Sequence, residues 1–246
     1  MREPYALEPE PTAPDLPGGV IVRSAFEDLV EPLAAELYLH AGSCVRNFGD
    51  FHLACSVGPA QVAVVMRLMV DPAYRWLPWN RTHLWIVEDR VVPVDHPESS
   101  MRQLVELVSD HAGIPERQIH APPTGEGAAA TYERELQSTL AWREKGQDRL
   151  DYALLALDRD GGVGGAGVVG ADGGDHLFRR FEAEAGPSIA ATPELIRSSR
   201  LIAIVASGAE AASGVRLVVD GRSDAIARIR PVGGAMRWYV DGEACA

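Results

Sequence analysis

The chain has 246 residues, of which 46% are hydrophobic and 24% charged, and its formal net charge is −12. That length suits one well-buried domain, and the composition is that of a soluble globular protein rather than a fibrous, disordered or membrane-spanning one. The acid excess argues against nucleic acid as a partner, so any phosphorylated ligand has to be held by locally gathered Arg, Lys or backbone N–H groups.

The three cysteines, Cys44, Cys55 and Cys245, are an odd number without paired spacing. They read as reduced thiols rather than a disulfide framework or a metal site. No N-terminal signal pattern is present, and the most apolar late segment, Leu201 to Val205, is too short to span a bilayer. The expectation is a soluble cytoplasmic protein with no membrane partner, no metal and no cofactor.

In chain order, residues 1–19 carry Pro4, Pro9, Pro11, Pro14 and Pro17 among acidic residues. They read as an extended or mobile tail, and 20–246 as one domain. Ser24-Ala-Phe-Glu27 has the form of a capping box opening a long helix toward Arg46, with Pro32 inside it as a kink or restart. Residues 50–56 (DFHLACS) read as a strand, and Pro59 to Met69 as an apolar helix. Leu84-Trp85-Ile86-Val87 is too short for a helix and rich in aromatic and β-branched residues, which predicts a buried strand. It runs into three charges, Glu88-Asp89-Arg90, then a proline loop, and Ser99 offers an N-cap for a helix from Met101 to His111. Charges massed where a buried strand meets a loop mark the usual binding position in an open α/β sheet.

A helix from Ala128 to Arg143 follows. Residues 150–157 (LDYALLAL), apolar without alternation, predict a central parallel strand. After it, Gly162-Val-Gly164-Gly-Ala-Gly167 satisfies G-x-G-x-x-G. The residues behind it, 168–174, make a poor helix, so a flexible glycine-rich loop is the better reading than a dinucleotide site. Arg200 to Ala206 reads as another strand, and Trp238 to Ala244 as the last strand and core anchor.

Val92-Pro93-Val94-Asp95-His96-Pro97-Glu98-Ser99, preceded by Glu88-Asp89-Arg90, resembles the lactonase branch of the 6-phosphogluconolactonase and glucosamine-6-phosphate isomerase family. There the same place reads roughly W-x-x-x-x-D-E-R-x-V-P-x-D-H-P-D-S-N. Weaker echoes follow: Ile114-Pro115 to His120, Tyr132-Glu133 with Leu136, Thr192-Pro193, Arg230-Pro231, and Trp238 through Asp241 to Ala244. The resemblance implies an α/β fold, a doubly wound, mostly parallel sheet flanked by helices. It also implies a phosphorylated sugar or sugar lactone as ligand; any protein partner stays unknown.

The family's chemical motifs are altered here. Its phosphate cradle, roughly Ser-Gly-Gly-Ser-Thr-Pro, corresponds to residues 56–61: Ser56 and Gly58 survive, Val57 adds a Cβ, Pro59 removes an N–H donor and Ala60 lacks a hydroxyl. Its lysine in G-x-x-K-A is Ala211. Its G-x-G-x-D-G-H, whose histidine is the general base, aligns with residues 156–162. Asp160 and Gly161 match, and Gly162 stands at the histidine, where no proton can be abstracted. A second alignment, about fourteen residues on through Asp172-Gly173-Gly174-Asp175, offers His176 as a substitute base. The resemblance thus puts Ser56, Gly58, Arg90, Gly161 and Gly162 against the substrate and Asp160, His176 and Glu88 in candidate catalytic roles; a lone His120 reads as structural or exposed rather than catalytic.

The leading expectation is a 6-phosphogluconolactonase-like protein of sugar-phosphate (pentose phosphate) metabolism whose lactone hydrolysis is weak or lost. The alternative is an active lactonase with a rebuilt site, Arg90 on the phosphate, Asp160 or Glu88 orienting water and His176 as base. A deaminating isomerase using Glu88 ranks third, and nucleotide binding through the glycine-rich loop last.

Overall fold

The computed structural model of the chain describes residues 11–164 and 176–245, with Ser109, Asp110 and His111 described in backbone only. Its centre is a seven-stranded sheet in the order β1-β10-β9-β6-β2-β3-β5, every neighbour pair parallel. The strands are β1 (Gly19–Arg23), β2 (Phe51–Cys55), β3 (Thr82–Ile86), β5 (Ile119–His120), β6 (Tyr152–Ala156), β9 (Leu201–Ala206) and β10 (Ala235–Asp241). All residues of β2 and β9 are buried, as are four of the five in β6. Runs apolar on both faces need helices on both sides, and this is why these stretches show no alternation.

A second, three-stranded antiparallel sheet, β4 (Glu88–Arg90), β8 (Gly186–Ala191) and β7 (Phe178–Ala183), leaves the end of β3. Helix α1 (Glu27–Phe48) turns Leu29, Leu33, Leu37, Ala41 and Cys44 inward at spacings of three and four. It runs through Pro32 without a break. The expected capping box does not form: Phe26 occupies the N-cap with no side-chain bond. The chain enters instead by tight backbone turns, Asp28 N to Ala25 O and Leu29 N to Phe26 O.

Helix α2 (Pro59–Val70) follows β2, and α3 (Ser100–Ala112) begins at the N-cap Ser99 as the sequence predicts. Helix α4 (Ala128–Leu140) stops short of Arg143. Then come α5 (Pro193–Ser198), α6 (Gly208–Val219) and α7 (Asp224–Arg228). Among the described residues no helix is long and apolar enough to cross a membrane.

The end of the expected tail is packed. Leu16 is buried, the Trp238 indole donates to Pro17 O at 2.8 Å, and Gly18 sits at φ +97° with no room for a Cβ against Met236 O. Residues 1–10 of that tail lie outside the described residues. So do Gly167, the stretch 168–174, and the Asp172 to Asp175 part of the second alignment.

Candidate functional site

The chain leaves β2 to one side, through α2 to β3, while β6 lies on β2's other side and leads on to β9. The carboxyl ends of β2 and β6 therefore flank the switch point of the sheet, where an open α/β fold leaves a crevice. A cavity of about 170 Å³ opens there, lined by Ser56, Val57, Glu88, Asp89, Arg90, Ser100 and Ser188.

Strand alternation sorts the three charges of β4. Asp89 points away from its neighbours and is buried. Its carboxylate accepts from Arg90 N (2.8 Å), Ser99 Oγ (3.1 Å), Ser100 N (2.6 Å) and Met101 N (3.0 Å). Ser99 Oγ in turn accepts from Arg102 N. Asp89 is thus the anion that caps α3, and none of its lone pairs is left for chemistry.

Glu88 and Arg90 point the other way. Arg90 reaches Glu98 at 3.3 Å, an exposed partner, and its Nε is buried with no hydrogen-bond partner. Gly186, at φ +116°, lies against it: a Cβ there would stand 3.1 Å from the guanidinium. Burial pushes the Glu88 carboxyl above its ordinary range, and the negative charges of Asp158 and Asp89 add to that. Asp158 is raised in the same way, by burial and by Asp160.

The motif that should carry the base is a closed turn. Gly161 N donates to Asp158 O, Asp158 N to Gly162 O, and Gly162 N to Asp160 Oδ1 at 3.0 Å. Gly161, at φ +78°, also accepts from Ser223 Oγ at 2.7 Å. The backbone groups of Gly161 and Gly162 are therefore engaged within the turn, and Asp160 serves its geometry. A Cβ on Gly162 would point at Asp160 Oδ1 (3.0 Å) and Asp158 Oδ2 (3.5 Å).

At the start of α2, Ser56 donates both N–H and Oγ to Leu154 O. Gly58 is an extended N-cap with no side chain to offer, and Pro59 follows. Gln61 is 2% exposed, and neither of its amide atoms has a partner. Its Oε1 lies 3.1 Å from where a Gly58 Cβ would be. Ala211 is buried on α6, whose first N–H, Gly208 N, donates to Asp241 Oδ2.

His176 is not brought into this cleft. Its side chain is 67% exposed, 3.7 Å from Glu133, in a separate hollow with Phe178 and Arg179, and its carbonyl is held by Thr192 Oγ1.

Sequence reasoning missed the polar network at the opposite, amino ends of the strands. Arg143, buried, donates to both Asp50 and Asp151, and Arg200 joins Asp151 at 2.9 Å. Asp151 Oδ2 accepts from His52 N, and Trp85 Nε1–H donates to His52 Nδ1 at 3.1 Å. Beyond them, His83 Nδ1 meets His120 Nε2 at 2.9 Å, and His120 Nδ1 meets Glu135 at 2.6 Å. His120, expected to be structural or exposed rather than catalytic, is buried and hydrogen-bonded on both ring nitrogens.

Asp50, His52 and His83 each offer an atom within 4.8 Å of the others, close enough to hold a metal ion. Their hydrogen bonds tell against it. With Trp85 donating to Nδ1, neutral His52 carries its proton on Nε2, which faces Asp50 at 3.2 Å and has no lone pair to give. The other Asp50 oxygen is taken by Arg143. Burial holds His52 and His83 below the usual histidine range, His83 at about 3, so both rings are neutral at pH 7.

The family of glucosamine-6-phosphate isomerases and 6-phosphogluconolactonase matches residues 24–166. The chain is 27% identical to the human GDH/6PGL endoplasmic bifunctional protein over 99% of its own length, but spans only 34% of that protein. It is 28% identical to the probable 6-phosphogluconolactonase 3, chloroplastic, of rice (Oryza sativa subsp. indica), over 92% of this chain and 74% of the relative. The crystal structure of 6-phosphogluconolactonase from Thermotoga maritima superposes with a TM-score of 0.77 at 19% identity, covering 91% of this chain and 99% of that one. At that identity the superposition establishes a shared fold: a mostly parallel sheet flanked by helices.

Proposed function

The chain belongs to the glucosamine-6-phosphate isomerase and 6-phosphogluconolactonase family, and from that membership we propose that it binds a phosphorylated sugar lactone of the 6-phosphogluconolactone kind and hydrolyses it weakly or not at all. The relatives named as 6-phosphogluconolactonases support this substrate class and, with it, a place in pentose phosphate metabolism.

The observation that carries the reading is a cleft with an anion-ready cation and no imidazole. Arg90 brings a guanidinium whose Nε has no partner, and a phosphate would supply the missing acceptor. The amide of Gln61, beside the uncapped start of α2, is also without a partner. Gly162, at the family's base position, has no side chain to take a proton from water, and the carboxylates beside it, Asp158 and Asp160, repel an anionic substrate.

Lactone hydrolysis needs a base to deprotonate water as it attacks the carbonyl and donors for the oxyanion that forms. Glu88 is the one carboxylate lining the cleft that Asp89's capping role leaves free, and its raised pKa makes it the group through which residual hydrolysis would run. Nothing in the geometry favours His176 for that task, since it faces solvent beside Glu133.

Calorimetric titration with 6-phosphogluconate tests the binding half. A saturable isotherm, weakened about 10- to 100-fold by Arg90→Ala, is expected from the loss of one charge-assisted contact. Titration heats no different from buffer, with folded protein, would overturn the proposal.

A further inference from the structure

A large unassigned space lies at the amino ends of the strands, at the opposite end of the sheet from the Arg90 cleft. It is a cavity of about 760 Å³, within the range of pockets that hold metabolite-sized ligands. Two arginines line it. Arg81 ends a 3-10 turn, Trp79–Arg81, leading into β3, and Arg117 lies in the turn Glu116–Gln118 leading into β5. β3 and β5 pair in parallel with Leu84 opposite Ile119, so both arginines lie at the amino ends of neighbouring strands and line the one cavity. Among the described residues neither guanidinium makes an ion pair or a hydrogen bond. In a chain with 35 acidic and 23 basic residues, two guanidiniums that line one cavity without an ion-pair partner stand out.

The cavity's one acid, Asp50, does not offset them, because Arg143 and His52 already hold its carboxylate. Two further features select among anions. His83 is bound through Nδ1 to His120, and His120 through its own Nδ1 to the Glu135 carboxylate. His120 therefore accepts and His83 donates between them, leaving His83 Nε2 a bare acceptor that suits a hydroxyl. Trp142 lines the same cavity and is 60% exposed, with the Arg143 guanidinium over its ring at 5.9 Å from the centroid. Two guanidiniums, a hydroxyl acceptor and an exposed aromatic ring match phosphate, sugar hydroxyl and flat ring.

We propose that this cavity is a second ligand site, distinct from the lactone cleft, and that it binds a nucleoside phosphate: phosphate on Arg81 and Arg117, ribose hydroxyl toward His83, base against Trp142. The site is independent of the reading given for the Arg90 cleft.

The test is titration of the intact chain with ADP, pyrophosphate and adenosine, read by tryptophan fluorescence and calorimetry. Saturable quenching by ADP is expected, with weaker binding of pyrophosphate and none of adenosine. Arg81→Ala combined with Arg117→Ala should weaken ADP by about 100-fold, from two lost charge-assisted contacts. Trp142→Phe should retain binding while removing most of the fluorescence change. Arg90→Ala should leave ADP affinity unchanged. Both arginines are exposed, so the double variant should melt as the parent does, which separates lost binding from lost folding. The proposal is overturned by no saturable ADP binding, by binding that survives the double variant, by pyrophosphate binding as tightly as ADP, or by binding that Arg90→Ala removes.

Discussion

The two ends of the central sheet treat their charges in opposite ways. At the amino ends, all three Arg143 guanidinium nitrogens donate, to Asp50, Asp151 and the carbonyls around them. At the carboxyl ends, Arg90 Nε and both amide atoms of Gln61 are buried with no partner. A closed network fixes the start of β2 against the loop before β6, and breaking it exposes buried charge to its own desolvation penalty. Single unpartnered atoms also occur on Gln147, Arg149 and Ser199, so the contrast lies in the two cations: Arg143 uses every nitrogen and Arg90 does not. On the proposed reading the first holds the fold and the second takes a ligand.

The contrast breaks most sharply at Arg143. Arg143→Ala should remove about 3–5 kcal/mol of unfolding free energy in urea, because the buried Asp50 and Asp151 would lose the guanidinium they share, leaving Asp50 with neutral His52 and Asp151 with Arg200 and the His52 amide. Arg90→Ala should change it by less than about 1 kcal/mol, since its only ion-pair partner, Glu98, is exposed. Equal losses at the two positions would erase the distinction.

Asp89 lies in the cleft wall but belongs with the fold. Asp89→Ala uncaps α3 and strands the Ser100 and Met101 amides, a loss of about 2–3 kcal/mol in the same assay. If it instead left stability intact and removed only sugar-phosphate binding, the assignment of Asp89 to the helix would fail.

Acid should find the amino-end network first. His52 and His83 have folded pKa values below 6.5, so the unfolded chain binds protons that the folded chain refuses. Their contribution to stability is present above about pH 6.5 and is lost progressively as pH falls toward about 3. His83→Gln should flatten that part of the melting temperature against pH; an unchanged slope would contradict the buried neutral imidazoles.

The smallest effect belongs to Glu88, whose folded pKa is raised. The protonated form is favoured by folding, so its contribution is present at low pH and lost as pH rises through the raised value. Glu88→Gln should therefore gain in melting temperature relative to the parent at pH 8 more than at pH 4.

What the sequence made legible was local. Residues 150–157 carry an unbroken apolar run, and Ser99 stands immediately before a helical pattern; both signals are complete within a few residues, and β6 and α3 formed where they pointed. β4 could not be read this way. Glu-Asp-Arg has no strand pattern of its own, and it becomes a strand only by pairing with β8, about a hundred residues later. The Arg143 network joins positions 93 apart in the chain, and nothing near Asp50 announces its partner. Arg90 and the altered Gly162 were visible only because the Pro93 to Ser99 stretch resembles a family whose motif order could be followed. That Asp89 caps a helix while its neighbours face the cleft follows from strand alternation, once the strand is known.

The central claim is that the cleft keeps its anion-binding cation and has lost its base at Gly162. The most direct measurement is hydrolysis of freshly prepared 6-phosphogluconolactone against its spontaneous background, for the parent and for Gly162→His. Gly162 has no positive φ, and a Cβ there needs the Asp160 carboxylate, 3.0 Å away and bonded to Gly162 N, to give by a few tenths of an ångström, so the variant's melting temperature is measured beside its rate. The account predicts a parent rate close to background and a rise of at least about tenfold in the variant, the lower end of what a positioned base supplies. A parent that turns over well above background, and that Gly162→His does not improve, would contradict it.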